Sequence, residues 1–166
     1  MKPLTCLILA VALTITAGCG KKEISQTARK QAIALSSEAN FAAGLRDYAR
    51  AEGLMAQATK LCPDDPTYWI SLGAMRVRLS RQSEARDAYK NALKAAEDVV
   101  KADKKQTDAA LNQVYVLALL GRIDDARALQ TKLLERYPES REIRSFVETK
   151  KLDRIVSDPQ FKQIAL

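Results

Sequence analysis

Hydrophobic and polar positions alternate with a helical period over most of the chain. From about residue 27 onward, alanine and leucine recur at three- and four-residue spacing among lysine, arginine, glutamate and glutamine. Glycine and proline occur mainly between these segments, where they mark turns. The pattern predicts an all-α fold of short helices joined by tight turns. Residues 4–15 depart from it, because they form one continuous apolar run.

This apolar run has the features of an export signal. A transmembrane helix needs about 20 apolar residues, and the run is shorter, with Lys2 before it and small residues after it. The following residues, 16–19 (Thr-Ala-Gly-Cys), resemble the lipobox of bacterial lipoproteins, although that family more often has leucine where Thr16 stands. The resemblance implies that residues 1–18 are a signal peptide and that Cys19 carries the lipid. An ordinary signal peptide cut elsewhere, with Cys19 incidental, is the alternative.

Lipidation predicts a protein anchored to a membrane of the bacterial cell envelope. Residues 19–26 would form a lipidated tether. By resemblance to enterobacterial lipoproteins, Gly20 after the cysteine permits sorting to the outer membrane, facing the periplasm. The net charge of +7 falls to +6 when Lys2 leaves with the signal. Export argues against a nucleic-acid partner, so this charge indicates either a solvated surface or contact with anionic headgroups. Cys62 is the one cysteine left, either buried at a helix end or paired between molecules.

A repeated unit is clearest in "PTYWISLGAMRVRLSRQSEARDAYKNALKAA", which begins at Pro66. Trp69, Leu72 and Gly73 lie on one face of a first helix, and Ala85 and Tyr89 lie on one face of a second. This set resembles the tetratricopeptide repeat, a helix-turn-helix unit of about 34 residues. The glycine and alanine positions would let the two helices approach closely.

The same register extends in both directions along the chain. A shift of 34 residues back predicts a first repeat at about 32–65, and a shift of 41 residues forward predicts a third at 107–140. The middle repeat, 66–106, therefore holds an insertion of about seven residues. Its second helix is expected to run on from about residue 83 to 101 or beyond, with a basic loop at "KADKK" as the alternative.

The remaining residues, 141–166, are expected to cap the repeats. "REIRSFVETKKL" reads as one helix, and residues 157–159 form a helix start with Pro159 in the first turn. Phe161 resembles an aromatic residue that packs on the last helices of some tetratricopeptide proteins. The predicted fold is an α-solenoid of three repeats, within 27–140, with C-terminal capping helices. Generic helical hairpins without a family tie are the alternative.

The sequence offers little catalytic chemistry. It has no histidine, no motif with metal-ligand spacing and no glycine-rich phosphate loop. Its paired acids, at 64–65 and 124–125, fall where helices begin and are expected to cap them. We therefore expect a protein that is not an enzyme, without a cofactor, a metal or a small-molecule substrate.

The resemblance implies a partner-binding groove along the first helices of the repeats. Carried over by position, its residues are Ile33, Ser36, Asn40, Thr67, Ile70, Ala74, Val77, Asp108, Leu111 and Tyr115, with Ala43 and Ala118 at the ends of their series. Only Asn40 matches the lysine, arginine and asparagine that clamp a peptide carboxylate in chaperone-binding relatives. The small and apolar lining favours an apolar segment or an amphipathic helix. The alternative is filling by the chain's own C-terminal helices, through Phe146 or Phe161.

These features predict a membrane-anchored scaffold or adaptor that binds a protein or peptide in an envelope assembly. A membrane-surface module that binds anionic lipid or polysaccharide through its basic surface is the alternative, and ionic strength separates the two.

Overall fold

The structure, a computed structural model, describes residues 23–166, and the predicted signal peptide and Cys19 lie outside these residues. The described chain is helical throughout and forms consecutive hairpins. Its helices are α1 (Gln26–Gly44), α2 (Tyr48–Leu61), α3 (Pro66–Arg78), α4 (Gln82–Ala102), α5 (Thr107–Leu119), α6 (Ile123–Arg136), α7 (Arg141–Glu148), α8 (Lys151–Ser157) and α9 (Pro159–Lys162). Helix α1 begins at Gln26, so the last residue of the predicted tether is already helical.

Three helix pairs stack in order, and local sequence sets their boundaries. The pairs are α1 with α2, α3 with α4 and α5 with α6, and each pair also contacts the next. Ser25, Asp47 and Asp65 accept hydrogen bonds from backbone N–H groups at the starts of α1, α2 and α3. The turn inside each pair uses one left-handed residue, and these residues, Arg46, Ser80 and Gly121, are separated by the predicted shifts of 34 and 41.

Close packing inside the second pair depends on Gly73. A Cβ atom built there would lie 2.3 Å from Cε1 of Tyr89, whose ring is fully buried. Alanines occupy comparable positions elsewhere, with Ala39, Ala51, Ala85 and Ala126 fully buried. The helices therefore meet through small residues, as the sequence predicts.

Arg76 stands where the repeat resemblance expects a tyrosine, and it forms a different contact between the helix pairs. Its Nε donates to Glu52 of α2 over 3.0 Å, and its Nη1 donates to the backbone oxygen of Glu84 in α4 over 3.1 Å. Arg81 also lies 3.6 Å from Glu52. A partly buried ion pair thus links the first two pairs at this point.

Helix α4 is longer than its counterparts, which confirms the predicted extension. It spans 21 residues, whereas α2 and α6 span 14 each, and the turn that follows it contains the basic residues Lys104 and Lys105. The insertion thus lengthens a helix before the chain turns.

The C-terminal region differs from the prediction. The expected single helix over "REIRSFVETKKL" is broken, because Lys150 adopts a left-handed conformation with φ of 49° between α7 and α8. The predicted start at Pro159 is confirmed, and Asp158 accepts a hydrogen bond from the Gln160 N–H over 2.7 Å. The break turns the chain back toward the repeats.

Cys62 is a buried cap residue of α2, as one of the two interpretations expects. It is 1% exposed, and burial raises the pKa of its thiol. The paired acids split in role: Asp65 caps α3, whereas Asp64 forms an ion pair with Arg29 of α1 at 2.8 Å.

Candidate binding groove

The first helices of the three pairs present equivalent positions at equivalent spacing. In α3, Thr67, Ile70, Ala74 and Val77 follow a three- and four-residue rhythm, which places them on one face of the helix. The corresponding residues of α1 lie 34 positions earlier, and those of α5 lie 41 positions later. Helices α3 and α5 also contact each other directly. The predicted groove residues thus form one register across the repeats.

The structure divides these residues into two groups by exposure. Ile33, Asn40, Thr67 and Asp108 are exposed, and Ser36 is partly buried. A second group packs against the core cluster that contains Phe161, and it comprises Ile70, Val77, Leu111 and Tyr115. Ala74 and Ala118 are buried. The open positions of the predicted groove therefore lie on α1 and in the first turns of α3 and α5, whereas those around Tyr115 are in contact with the rest of the chain.

The chain's own C-terminal segment, residues 158–166, occupies the Tyr115 end. The rings of Tyr115 and Phe161 meet edge to face with centroids 5.8 Å apart. Tyr89 donates a hydrogen bond to the carbonyl oxygen of Ile164 over 2.6 Å, and the Leu166 N–H donates to the Leu119 carbonyl over 2.9 Å. We call residues 158–166 the C-terminal tail. Self-filling, one of the two alternatives, thus holds for this end of the groove.

Arg78 closes the contact between the tail and the repeats. Its Nη1 donates to the Gln163 side chain and to the Tyr48 hydroxyl, each over 3.2 Å. Its guanidinium also lies 5.1 Å from the centroid of the Tyr48 ring. One arginine at the end of α3 therefore joins the tail to the start of α2.

Burial dominates the electrostatics of the tail site. It raises the pKa of the Tyr89 hydroxyl well above its usual range, and that of Tyr115 in the same direction, with a further contribution from the charge of Asp158. Both hydroxyls therefore stay protonated near neutral pH. The site is suited to holding a segment of chain through packing and a main-chain hydrogen bond.

A cleft that the sequence analysis missed lies at the other ends of the first helices. It has a volume of about 700 Å³ and lies between the start of α1, the turn before α3 and the extended end of α4. Ile24, Trp69 and Val99 form apolar parts of its lining, and the Arg29–Asp64 ion pair lies at it. The Trp69 Nε1 donates to the Pro63 carbonyl over 3.0 Å. The seven-residue insertion was the available signal, because the longer α4 provides one wall.

Residues 23–166 contain no cluster of three or more potential metal ligands. Within the same range, no helix is both long enough and apolar enough to cross a membrane.

Comparisons with known proteins identify the family of the repeats. Residues 36–97 and 89–141 match the tetratricopeptide repeat family, and together they span more than half of the chain. Among solved structures, the chain is similar to the "Arabidopsis OM64 TPR domain", with 20% identity and a TM-score of 0.44 over 76% of this chain and 98% of that one. It is also similar to the "First TPR of Spaghetti (RPAP3) bound to HSP90 peptide SRMEEVD", with 16% identity and a TM-score of 0.44 over 78% and 96%. No curated protein matches the chain.

Proposed function

Because the chain belongs to the tetratricopeptide repeat family, we propose that it is a protein-binding scaffold held by lipid at Cys19 on a bacterial envelope membrane. The scaffold binds a protein or peptide partner through the open part of its groove and carries out no catalysis. Repeat solenoids of this kind commonly bind partners on an extended concave surface.

One observation carries the binding part of this proposal. The groove positions of α1 and the first turns of α3 and α5 remain exposed at Asn40, Thr67 and Asp108, although the same chain covers the Tyr115 end with its own tail. The tail is itself a short helix, α9, that continues into a turn. It is held by the Tyr115 ring, by the Tyr89 hydroxyl that donates to the Ile164 carbonyl, and by the Leu166 N–H that donates to the Leu119 carbonyl. Apart from Ile33 the open positions are polar, so a partner that presents an amphipathic helix with polar groups toward this surface fits it.

The envelope location is supported by the N-terminal sequence. The apolar run at residues 4–15 and the lipobox-like residues 16–19 together point to an exported lipoprotein. Cys19 lies only four residues before Glu23, and four extended residues span roughly 14 Å. The repeats would therefore stay close to the membrane that holds the lipid, which we propose is the outer membrane, on its periplasmic side.

Affinity capture from native envelopes tests the groove. We compare the wild-type chain with a double variant, Asn40→Arg with Thr67→Arg, which places two large cations on exposed groove positions. The matched control, Gln57→Arg with Thr131→Arg, adds the same charge at exposed positions of the second helices α2 and α6. The proposal expects a specific protein that the wild type and the control retain and the groove variant loses.

Equal retention by the groove variant and the control would contradict groove binding. The capture should lose little at high salt, because Ile33, Asn40 and Thr67 carry no charge that salt could screen. Binding to envelope lipid or polysaccharide that collapses between low and high salt would instead support the alternative of a basic membrane-surface module.

Fractionation tests the anchor separately. Cys19→Ala should abolish lipid attachment, which mass spectrometry of the N-terminal peptide reads directly, and should release the chain from the membrane fraction. Membrane retention of unlipidated Cys19→Ala through an uncut N-terminus would contradict the lipoprotein assignment while leaving the groove proposal intact.

A further inference from the structure

The large hydrophobic side chains that remain exposed within residues 23–166 lie along α1, with Ile33 and Phe41 inside the helix and Leu45 as its C-cap residue. Ile33 is 58% exposed, Phe41 68% and Leu45 67%. They are spaced by multiples of four residues, with exposed Ser37 completing the series. Residues spaced by four form one ridge on a helix surface, of the kind that packs between the ridges of another helix. We call these four residues the α1 ridge.

The repeat register shows what covers the Phe41 position in the other repeats, whereas Thr67 and Asp108, the counterparts of Ile33, stay exposed. Phe41 corresponds to Met75 of α3 and Val116 of α5, at the shifts of 34 and 41 residues. Met75 packs against the core cluster that includes Ala51, Met55 and Ala58 of α2. Val116 is fully buried in the cluster that contains Tyr89 and Ala92 of α4. In both cases the preceding repeat supplies the covering helix.

The counterparts of Leu45 in the later repeats are also more buried than Leu45 itself, and the two ends of the stack differ in what covers them. Its counterparts are Leu79, which is partly buried, and Leu120, which is 7% exposed. The last repeat is covered by α7, whose Ile143 and Phe146 are buried in the core. No helix precedes α1 within the described residues, so the α1 ridge is the face left uncovered.

If the chain is processed as proposed, the segment before α1 cannot cover the ridge. The mature tether, residues 19–25, contains one large apolar side chain, Ile24, and this already packs against the core. Phe41 lies 15 residues into the helix from Gln26, which corresponds to roughly 22 Å along its axis. Neither the tether nor the described residues therefore supply a helix that covers the ridge.

We propose that the α1 ridge of a second copy of this chain covers it, with the two α1 helices antiparallel about a two-fold axis. In this pairing Ile33 faces Leu45 of the second copy, and Ser37 faces Phe41 of the second copy, so that a small residue lies opposite the aromatic ring. Gly44 falls opposite Ala34 and has open space where a Cβ would lie. The ridge is thus complementary to itself, as an isologous contact requires.

A two-fold contact also accounts for the single uncovered end. Each copy is already capped at its C-terminal end by α7 to α9, so pairing through α1 buries the remaining exposed ridge on both copies. The assembly closes as a dimer, whereas end-to-end stacking would leave one ridge exposed on every filament.

The size of the ridge predicts a weak dimer. Large side chains bury roughly 150–200 Å² each, so three that are about two-thirds exposed offer on the order of 300 Å² per copy. A stable interface normally buries about 800 Å² per partner. The dimer should therefore be concentration dependent in solution, and confinement of lipid-anchored copies to one membrane surface would favour it.

Site-specific photocrosslinking of the full chain in its membrane tests this pairing. Two copies with different tags are co-expressed, and one carries a benzophenone amino acid at Phe41. The expected product is a covalent dimer that contains both tags. The same probe at Gln57, an exposed position of α2, should give none. Crosslinks to lipid or to another protein alone, or equal dimer from both positions, would overturn the proposal.

A charge exchange tests the antiparallel register. With the probe at Phe41, Leu45→Glu in one copy should lower the dimer yield several-fold, and Ile33→Lys in the other copy should restore it. Gln57→Glu in place of Leu45→Glu is the matched control and should leave the yield unchanged. Loss without restoration would refute this register.

The dimer can be tested even if the proposed lipid anchor proves wrong. If Cys19→Ala shows that the chain is not lipid anchored, the same crosslink is measured on purified full chain over a range of concentrations up to about 1 mM. A dimer that appears with rising concentration and disappears in Leu45→Glu supports the inference without the membrane. Absence of that dimer at every concentration overturns it. Retention of the groove partner by Leu45→Glu shows that groove and ridge are independent.

Discussion

Replacing Gly73 by alanine tests the packing on which the middle repeat depends. The new Cβ would lie 2.3 Å from Cε1, 2.5 Å from Cδ1 and 2.9 Å from Cζ of Tyr89. The ring has little freedom to move aside, because it is fully buried and its hydroxyl donates to the Ile164 carbonyl. The helices must therefore separate, or the tail contact must be lost.

The expected magnitude is the balance of two opposing effects. Overpacking a well-filled core typically costs about 1–3 kcal/mol, whereas alanine is favoured over glycine inside a helix by about 1 kcal/mol. We expect Gly73→Ala to lower the free energy of unfolding by up to about 2 kcal/mol. For a chain of this size, each kcal/mol corresponds to roughly 2–5 °C in Tm.

Gly53 provides a matched control for this substitution. It lies within α2, and a Cβ there would meet nothing within 4 Å, so Gly53→Ala should gain helix propensity without a clash. Urea and thermal unfolding, followed by circular dichroism, should show opposite shifts for the two variants. If Gly73→Ala stabilises the chain as much as Gly53→Ala does, α3 and α4 do not pack closely at Gly73.

Three further predictions concern the turns, the tail and the effect of pH. Ser80→Gly should raise the free energy of unfolding by about 0.5–1 kcal/mol, because φ of 60° strains a residue that has a side chain. Gly121→Ala should lower the free energy of unfolding, because φ is 73° and a Cβ would lie 2.9 Å from the Leu166 carbonyl oxygen. Urea unfolding measures both effects. Phe161→Ala should cost about 3 kcal/mol and speed hydrogen exchange at the tail, and unchanged exchange would contradict the tail contact. Because the pKa of the Tyr89 hydroxyl is raised in the folded chain, the unfolded chain loses the hydroxyl proton first as pH rises, and the wild type should lose stability above about pH 10. Tyr89→Phe should lose less stability over the same pH range. Parallel plots of the free energy of unfolding against pH for the two chains would refute this.

The sequence predicts the repeats well because their signals are local and periodic. Trp69, Leu72 and Gly73 define one face of a helix, and the counterparts of Ser80 at 46 and 121 carry the left-handed turn in all three pairs. The extension of α4 also follows from local composition, since no proline or glycine interrupts it. Features that depend only on the residues of one helical hairpin could therefore be predicted from the sequence.

The features that depend on contacts between distant segments could not be predicted from the sequence. Thr149 and Lys150 give no breaking signal, so the end of α7 at Glu148 was not predicted. The position of the tail depends on Tyr89 and Phe161, which are 72 residues apart in the sequence. The groove residues were assigned by position alone, and their division into covered and open parts follows from where the tail packs.

The measurement that tests the central claim most directly is crosslinking from the groove in intact cells. A benzophenone amino acid is placed at Thr67 in the open part of the groove and, as a control, at Gln57 on the second helix α2; both positions are exposed. The account predicts one protein partner crosslinked from Thr67 and not from Gln57, with the crosslink lost when Asn40→Arg is added. Absence of a protein crosslink from Thr67, or the same products from both positions, would contradict a groove-binding scaffold.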